Sequence, residues 1–323
     1  VSAAGELLAA VDVGTNTVLL LTAEPDGHGG IRELNEASRT TRLGEGLDRT
    51  GELLPAAVDR TVTAVREFMA LARQSATHGR GVTASTSAAR DARNRDLFLS
   101  RWQAECGAPP LVFSGDEEAR TSFTGIASDQ PADRFLIGVD IGGGSTELCA
   151  GFGGRLLGSV SLNLGCVRFG ERYLLYEIPE ADAQAQASEA AAALLRPAAR
   201  DILALGPRGA QPHVVVCGGT ATTFAAMTLG LKPWDRKAVH GFAADAPATA
   251  AGMARLFNMP SAERAKLPGV SKGRAAVLPA GLLILGEVLR TLGVEGFTVT
   301  TRGLRYGLLL RLQQGDLQPT WTW

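Results

Sequence analysis

Lysine is nearly absent from this chain of 323 residues. Of its 32 basic side chains only Lys232, Lys237, Lys266 and Lys272 are lysines; the rest are arginine. The formal net charge is -1. That argues against a general nucleic-acid binder, which carries a basic surplus to neutralise phosphates. Arginine forks suit phosphate oxygens, although a compositional bias shared with Ala and Gly accounts for most of the excess. Cysteine is scarce as well. Cys106, Cys149, Cys166 and Cys217 are scattered without a C-x-x-C spacing, which sets aside zinc and disulfide frameworks and leaves buried free thiols as the expectation. His28, His78, His213 and His240 are isolated and lack metal-ligand spacing, so none is given a role. Long apolar runs are also missing. The most apolar stretch, 275–286, is too short for a membrane span and contains Pro279. No N-terminal segment combines a charged start, an apolar run and a cleavage site. The expectation is a cytoplasmic protein with neither membrane nor nucleic acid as partner.

Glycine, by contrast, is abundant, and its placement organises the chain. Val139-Asp140-Ile141-Gly142-Gly143-Gly144-Ser145-Thr146-Glu147-Leu148 reads as strand, glycine turn, strand. Three glycines remove every Cβ from the turn, so its N–H groups can converge on an anion. Ser145 and Thr146 add hydroxyls. Asp140 and Glu147 flank the turn. Carboxylates repel phosphate, so acids beside an anion cradle imply a divalent cation, Mg²⁺ or another, between them and the ligand. The bland alternative is a tight turn with solvent-facing acids.

A second copy weighs against that alternative. Val11-Asp12-Val13-Gly14-Thr15-Asn16-Thr17 repeats the pattern at a constant offset of 128 residues. Two such turns a domain apart point to a duplicated domain with a ligand between the halves. A length of 323 residues with 45% hydrophobic content suits two cores. A third glycine-hydroxyl turn, Gly218-Gly219-Thr220, follows the apolar strand 214–216; a plain strand-to-helix connection explains it as well as ligand contact does.

Each half reads as a β-meander followed by β/α units. The expected fold is α/β: two mixed five-stranded sheets flanked by helices, with a cleft between the domains. Domain I spans 1–126 and is completed by a C-terminal helix over 303–317; domain II spans 127–302. The apolar stripe Val58, Val62, Val65, Met69 and Ala72 predicts a helix starting near Pro55. Ser114 and Glu117 match a capping box. Residues 39–46 read as a polar loop and 166–176 as a helix. A long Ala-rich helix over 180–205 is expected to be interrupted at Pro197, and 319–323 to form a frayed tail.

These paired turns, with Ser114-Gly115-Asp116-Glu117-Glu118-Ala119-Arg120, Leu164-Gly165-Cys166-Val167-Arg168, Leu267-Pro268-Gly269-Val270 and Leu278-Pro279-Ala280-Gly281, resemble the exopolyphosphatase / guanosine pentaphosphate phosphohydrolase family. The resemblance covers nearly the whole chain and matches the family's short, two-domain form. It implies the actin-like (ribonuclease H-like) fold and a homodimer. It also implies hydrolysis of terminal phosphoanhydride bonds, with inorganic polyphosphate as substrate or, in the same chemistry, guanosine pentaphosphate. An actin-like-fold kinase using ATP and a non-catalytic polyphosphate or alarmone sensor are the rivals from other classes. Relatives usually carry an acid where this chain has Ala276.

The resemblance assigns Glu118 as the base that activates water and Arg90 as a phosphate contact. Asp140 and Glu147 are the metal candidates, with Asp12 the matching acid of the first copy. The donors for phosphate are Gly14, Thr15, Asn16 and Thr17 in one cradle and Gly142, Gly143, Gly144 and Ser145 in the other. Gly218, Gly219 and Thr220 form the possible third. Arg93, Arg42, Arg168, Lys272 and Arg274 are secondary contacts for a polyanion, each with plain surface charge as the alternative.

Overall fold

The computed structural model describes residues 6–107, 109–175 and 177–323. The chain opens with β1 (Leu7–Val13), β2 (Thr17–Pro25) and β3 (Ile31–Thr40). Helices α1 (Leu47–Thr50) and α2 (Pro55–Ser75) lead to β4 (Gly79–Ser85), then α3 (Ser87–Asp91), α4 (Arg95–Cys106), β5 (Leu111–Val112) and α5 (Gly115–Ala127). A second meander follows: β6 (Phe135–Ile141), β7 (Thr146–Phe152) and β8 (Arg155–Leu162). After it come α6 (Cys166–Tyr173), α7 (Ala181–Leu203), β9 (Pro212–Cys217), α8 (Gly218–Thr228), α9 (Arg236–Val239) and β10 (Ala243–Asp245). The chain continues through α10 (Ala246–Phe257), α11 (Ser261–Arg264), α12 (Lys272–Ala275), α13 (Leu278–Leu292) and β11 (Gly296–Val299), and ends in α14 (Leu304–Gln314) and β12 (Trp321–Thr322).

Two units divide these elements. The first holds the residues up to Gly125 together with Leu304–Trp323. Its sheet runs β12-β4-β1-β2-β3, with β5 also on β4. Strand β1 lies antiparallel to β2 and parallel to β4. Its residues alternate between two cores, as the pleat requires. Ala9, Val11 and Val13 join Val58, Val62, Val65 and Met69 of α2, while Leu8 and Ala10 join Leu304, Leu308 and Leu312 of α14. The predicted stripe on α2 is buried throughout, and Pro55 stands at the helix start. Gly307 lets α14 approach α5: a Cβ there would sit 1.9 Å from the Thr121 carbonyl oxygen.

The second unit is Ile126–Gly303. Its sheet runs β10-β11-β9-β6-β7-β8, with β6 antiparallel to β7 and parallel to β9. Helix α13 is buried along most of its length, so it reads as a near-continuous apolar run.

Several expectations are corrected. Each sheet has six strands, not five. Strand β10 is only Ala-Ala-Asp and carries no strand signature. The other added strand is β12, so the tail is docked rather than frayed. Trp321 pairs with Gly81 and Thr322 with Arg80. The Trp321 ring lies where a Cβ on Gly81 would be, the Trp323 ring does the same at Gly79, and the two rings stack at 4.7 Å. Two glycines on β4 thus make the slot that holds two indoles.

Helix α7 is not interrupted but runs through Pro197. The bond lost there would have gone to the Ala193 carbonyl, and both residues face solvent, while Ala187, Ala191, Leu195, Ala198 and Ile202 keep the opposite stripe in the core. Strand β3 extends to Thr40, into the expected loop. The end of the 166–176 helix expectation, Tyr176, lies outside the described residues.

Candidate active site

In the first unit the candidate residues gather at the carboxyl ends of the parallel strands β1, β4 and β5, the edge at which open α/β sheets bind ligands. The turn after β1 is closed by the Gly14 N–H donating to the Thr17 carbonyl at 3.1 Å. Its outer side is latched by the segment after β3: Thr41 and Arg42 N–H groups donate to the Asn16 carbonyl at 3.1 and 3.0 Å, and Gly44 N–H to that of Thr15 at 2.9 Å. Arg42 takes φ 53, in the left-handed region, to make this contact, and its side chain is exposed.

A run of main-chain bonds ties the turn to Glu118. Thr86 N–H donates to the Val13 carbonyl at 3.3 Å, Arg90 N–H to that of Thr86 at 3.0 Å, and Phe113 N–H to that of Ser85 at 2.9 Å. Ser114 caps α5, its Oγ accepting from the Glu117 N–H at 3.2 Å. The reciprocal half of the expected capping box is replaced: the Glu117 carboxylate accepts from Arg311 Nη2 at 3.0 Å. Glu118 stands one residue on, in the first turn of α5, where the helix dipole favours an anion. It is 7% exposed. Its Oε2 accepts from Arg90 Nη1 at 2.9 Å, and the same nitrogen donates to the Phe113 carbonyl at 3.1 Å. Arg90 is therefore the partner of Glu118, a relation the sequence did not disclose. Arg93 is engaged elsewhere, donating to the Thr50 carbonyl at 2.7 Å with Glu52 at 3.5 Å.

In the second unit the pairing register lines up four side chains. Cys217 of β9 is opposite Asp140 of β6, Asp140 opposite Glu147 of β7, and Glu147 opposite Ser161 of β8. Directly opposed residues share a sheet face, with Cβ atoms about 5 Å apart. Glu147 is 1% exposed and accepts from Ser161 Oγ at 2.7 Å. Burial, then the charge and hydrogen bond of Asp140, push the Cys217 thiol well up. Burial followed by the charges of Glu147 and Asp140 does the same to Cys149. Among the described residues no group of three or more His, Cys, Asp or Glu is arranged to hold a metal alone. Two adjacent carboxylates fit Mg²⁺, an ion usually bound through one or two carboxylates together with waters and substrate phosphates. In the first copy the residue opposite Asp12 is Leu19, so that copy offers one carboxylate where the second offers two.

The second turn is closed in the same way as the first, with Gly142 N–H donating to the Ser145 carbonyl at 2.9 Å. Arg168 does not hang free; its Nε donates to the Gly144 carbonyl at 2.8 Å. The third turn is the start of α8 itself, with Gly218 at φ 87. The Arg274 guanidinium lies against Gly219: a Cβ there would stand 2.0 Å from its central carbon. Burial holds the Arg274 pKa below the ordinary arginine value, partly offset by the nearby Cys166. Thr220 is buried against Gly281. Lys272 is exposed at the start of α12.

The sequence profile of the Ppx/GppA phosphatase family matches residues 21–315. The chain belongs to this family. It is 32% identical over 319 residues to "Exopolyphosphatase 2" of Mycobacterium tuberculosis, covering 94% of this chain and 98% of that one. A crystal structure of an exopolyphosphatase-like protein superposes with TM-score 0.87 at 27% identity, covering 97% of this chain and 99% of the other. The Ppx/GppA family member of Aquifex aeolicus superposes at 0.76 with 26% identity over 96% and 98% of the two chains. The duplicated α/β architecture is thus the actin-like fold of the Ppx/GppA proteins.

Within this Ppx/GppA chain, sequence reasoning missed Ser161, a strand serine whose link to Glu147 exists only through register. It also missed a polar group about His240. His240 Nε2 lies 2.8 Å from Asp129 Oδ2, Arg302 Nη1 lies 3.2 Å from the same oxygen, and Gln130 Nε2 donates to Asp129 Oδ1 at 2.7 Å. Three of these residues lie far apart in sequence, and no spacing announces them. No helix among the described residues is long and apolar enough to cross a membrane.

Proposed function

We propose that this protein is a Mg²⁺-dependent exopolyphosphatase that removes the terminal phosphate of inorganic polyphosphate. The observation that carries the reading is the setting of Glu118. It is a nearly buried carboxylate at a helix start, held by Arg90 and linked by main-chain bonds to a glycine turn able to bind phosphate. The naming of the Mycobacterium tuberculosis relative as an exopolyphosphatase supports the same substrate class.

In the proposed reaction Glu118 takes a proton from water as its oxygen attacks the terminal phosphorus. The bond from that phosphorus to the bridging oxygen breaks, and orthophosphate and a chain shorter by one unit are released. In the unit that carries Glu118, the turn of Gly14, Thr15, Asn16 and Thr17 would offer donors to phosphate oxygens; in the other unit the N–H groups of Gly143, Gly144 and Ser145 form a cradle of the same kind. Asp140 and Glu147 would hold Mg²⁺, which when bound neutralises charge on the substrate phosphates. Arg42 and Arg274 add fixed positive charge for a polyanion.

The deciding experiment measures free phosphate from long-chain polyphosphate, from guanosine pentaphosphate, and from ATP with sugars, each with and without Mg²⁺. Mg²⁺-dependent release from polyphosphate is expected. Release from guanosine pentaphosphate alone would move the substrate within the same chemistry, and no phosphate from either polyanion would sink the hydrolase reading.

A further inference from the structure

The two glycine turns share a device that neither turn's own sequence contains. A trans peptide points its C=O and the next residue's N–H in opposite directions. Whatever captures the carbonyls of a turn therefore decides which way its amides face. In the second unit the captor is the start of α6. Cys166 N–H donates to the Gly142 carbonyl at 3.0 Å, and the Val167 and Arg168 N–H groups donate to that of Gly143 at 2.8 and 3.1 Å. The Gly144 carbonyl is taken by a side chain, Arg168 Nε, at 2.8 Å. Three consecutive carbonyls are drawn to one side, and the N–H groups of Gly143, Gly144 and Ser145 are turned to the other. Among the described residues no protein acceptor takes those three N–H groups. Gly165 permits the approach, since a Cβ on it would stand 2.3 Å from the Gly143 carbonyl oxygen.

The first copy repeats the arrangement at the 128-residue offset, with Thr15 for Gly143 and Asn16 for Gly144. There the Thr15 and Asn16 carbonyls accept from main-chain N–H groups, those of Gly44, Thr41 and Arg42. Arg42 and Arg168 both follow the third strand of their meander and both grip the third residue of their turn, one through its backbone and the other through its side chain.

We infer that Arg168 is a positioning residue, not a polyanion contact: its Nε holds the Gly144–Ser145 peptide so that the Ser145 N–H faces the substrate phosphate. Without that bond the peptide is free to rotate and present its carbonyl oxygen to the phosphate. The inference rests on the phosphohydrolase reading for its effect on rate, but not for its effect on the amide.

The test uses the full chain as wild type, Arg168→Met and Arg168→Gln. Met keeps the aliphatic stem and loses both donor and charge; Gln is neutral but keeps an N–H donor. Loss of one oriented donor predicts a kcat for Arg168→Met lower by about tenfold or more, with the salt dependence of KM as in wild type. Arg168→Gln should recover most of that loss. In parallel, the backbone amide resonance of Ser145 should move in Arg168→Met and return toward wild type in Arg168→Gln. If Gln behaves like Met and both flatten the salt dependence of KM, Arg168 contacts substrate directly and the inference falls. If Arg168→Met matches wild type in rate and in the Ser145 resonance, it falls as well. Should the wild type release no phosphate, the hydrolase reading fails while the Ser145 resonance alone decides this inference.

Discussion

Arg90 Nη1 lies 2.9 Å from Glu118 Oε2, and the Glu118 side chain is nearly enclosed. The arginine thus fixes the position of the carboxylate proposed as base. Removing one member of such a pair leaves the other's charge poorly solvated, so the two residues are energetically coupled. In a urea-unfolding double-mutant cycle with Arg90→Met and Glu118→Gln, the coupling should be about 1–3 kcal/mol. The destabilisations of the two single variants should add up to more than that of the double variant. Additive effects would show that the pair contributes nothing to stability.

Glu118→Gln keeps the shape of the side chain and removes its ability to take a proton. Turnover of polyphosphate should fall by at least about 100-fold, while binding of polyphosphate, followed by a direct titration, stays within a few-fold of wild type. Full activity in the variant would place the base elsewhere.

The opposition of Asp140 and Glu147 gives an ordered expectation for the metal. Asp140→Asn and Glu147→Gln should each raise the Mg²⁺ concentration needed for half-maximal activity, by roughly tenfold or more. Chelation of Mg²⁺ should abolish wild-type turnover. Asp12, opposite Leu19 instead of an acid, should affect Mg²⁺ dependence less. Equal shifts for Asp12→Asn and Asp140→Asn would contradict this difference between the copies.

Trp321 is 8% exposed and fills the slot above Gly81, with the Arg73 guanidinium 5.5 Å from its ring centroid. Trp321→Ala should cost about 3 kcal/mol in unfolding free energy. Gly81→Ala should also destabilise, because its Cβ would overlap the indole. Near-neutral values for both would mean that the tail does not pack on β4 in solution.

Asp129 predicts a pH dependence. Burial by itself would raise its carboxyl, but hydrogen bonds from His240 and Gln130 and the charge of Arg302 outweigh burial and hold it below the ordinary carboxylate value. A carboxyl lowered in the folded state stabilises the fold above its unfolded pKa of about 3.9, and that stabilisation is lost as pH falls through the lower folded value. Wild type should therefore exceed Asp129→Asn in Tm at neutral pH by a constant margin that shrinks below about pH 4. A margin that persists unchanged at low pH would assign the difference to something other than the charge.

Local pattern carried much of the architecture. The stripe on α2, the strands on either side of Gly14 and Gly142, and the duplication itself follow from periodicity and from a repeat, both of which are properties of order along the chain. The types of group available for phosphate chemistry, glycine turns flanked by Asp140 and Glu147, were legible for the same reason. What the sequence left open depended on pairing between distant segments. Whether Asp140 faces Glu147 and Glu147 faces Ser161 is a matter of strand register, which is set by the sheet as a whole. The packing of Trp321 and Trp323 required glycines at positions 81 and 79, far earlier in the chain. Arg90 was expected to contact phosphate, and Arg168 to be a secondary contact or plain surface charge. Only tertiary structure brings one to a carboxylate and the other to a carbonyl, because a long side chain's partner is determined by what the fold sets within its reach.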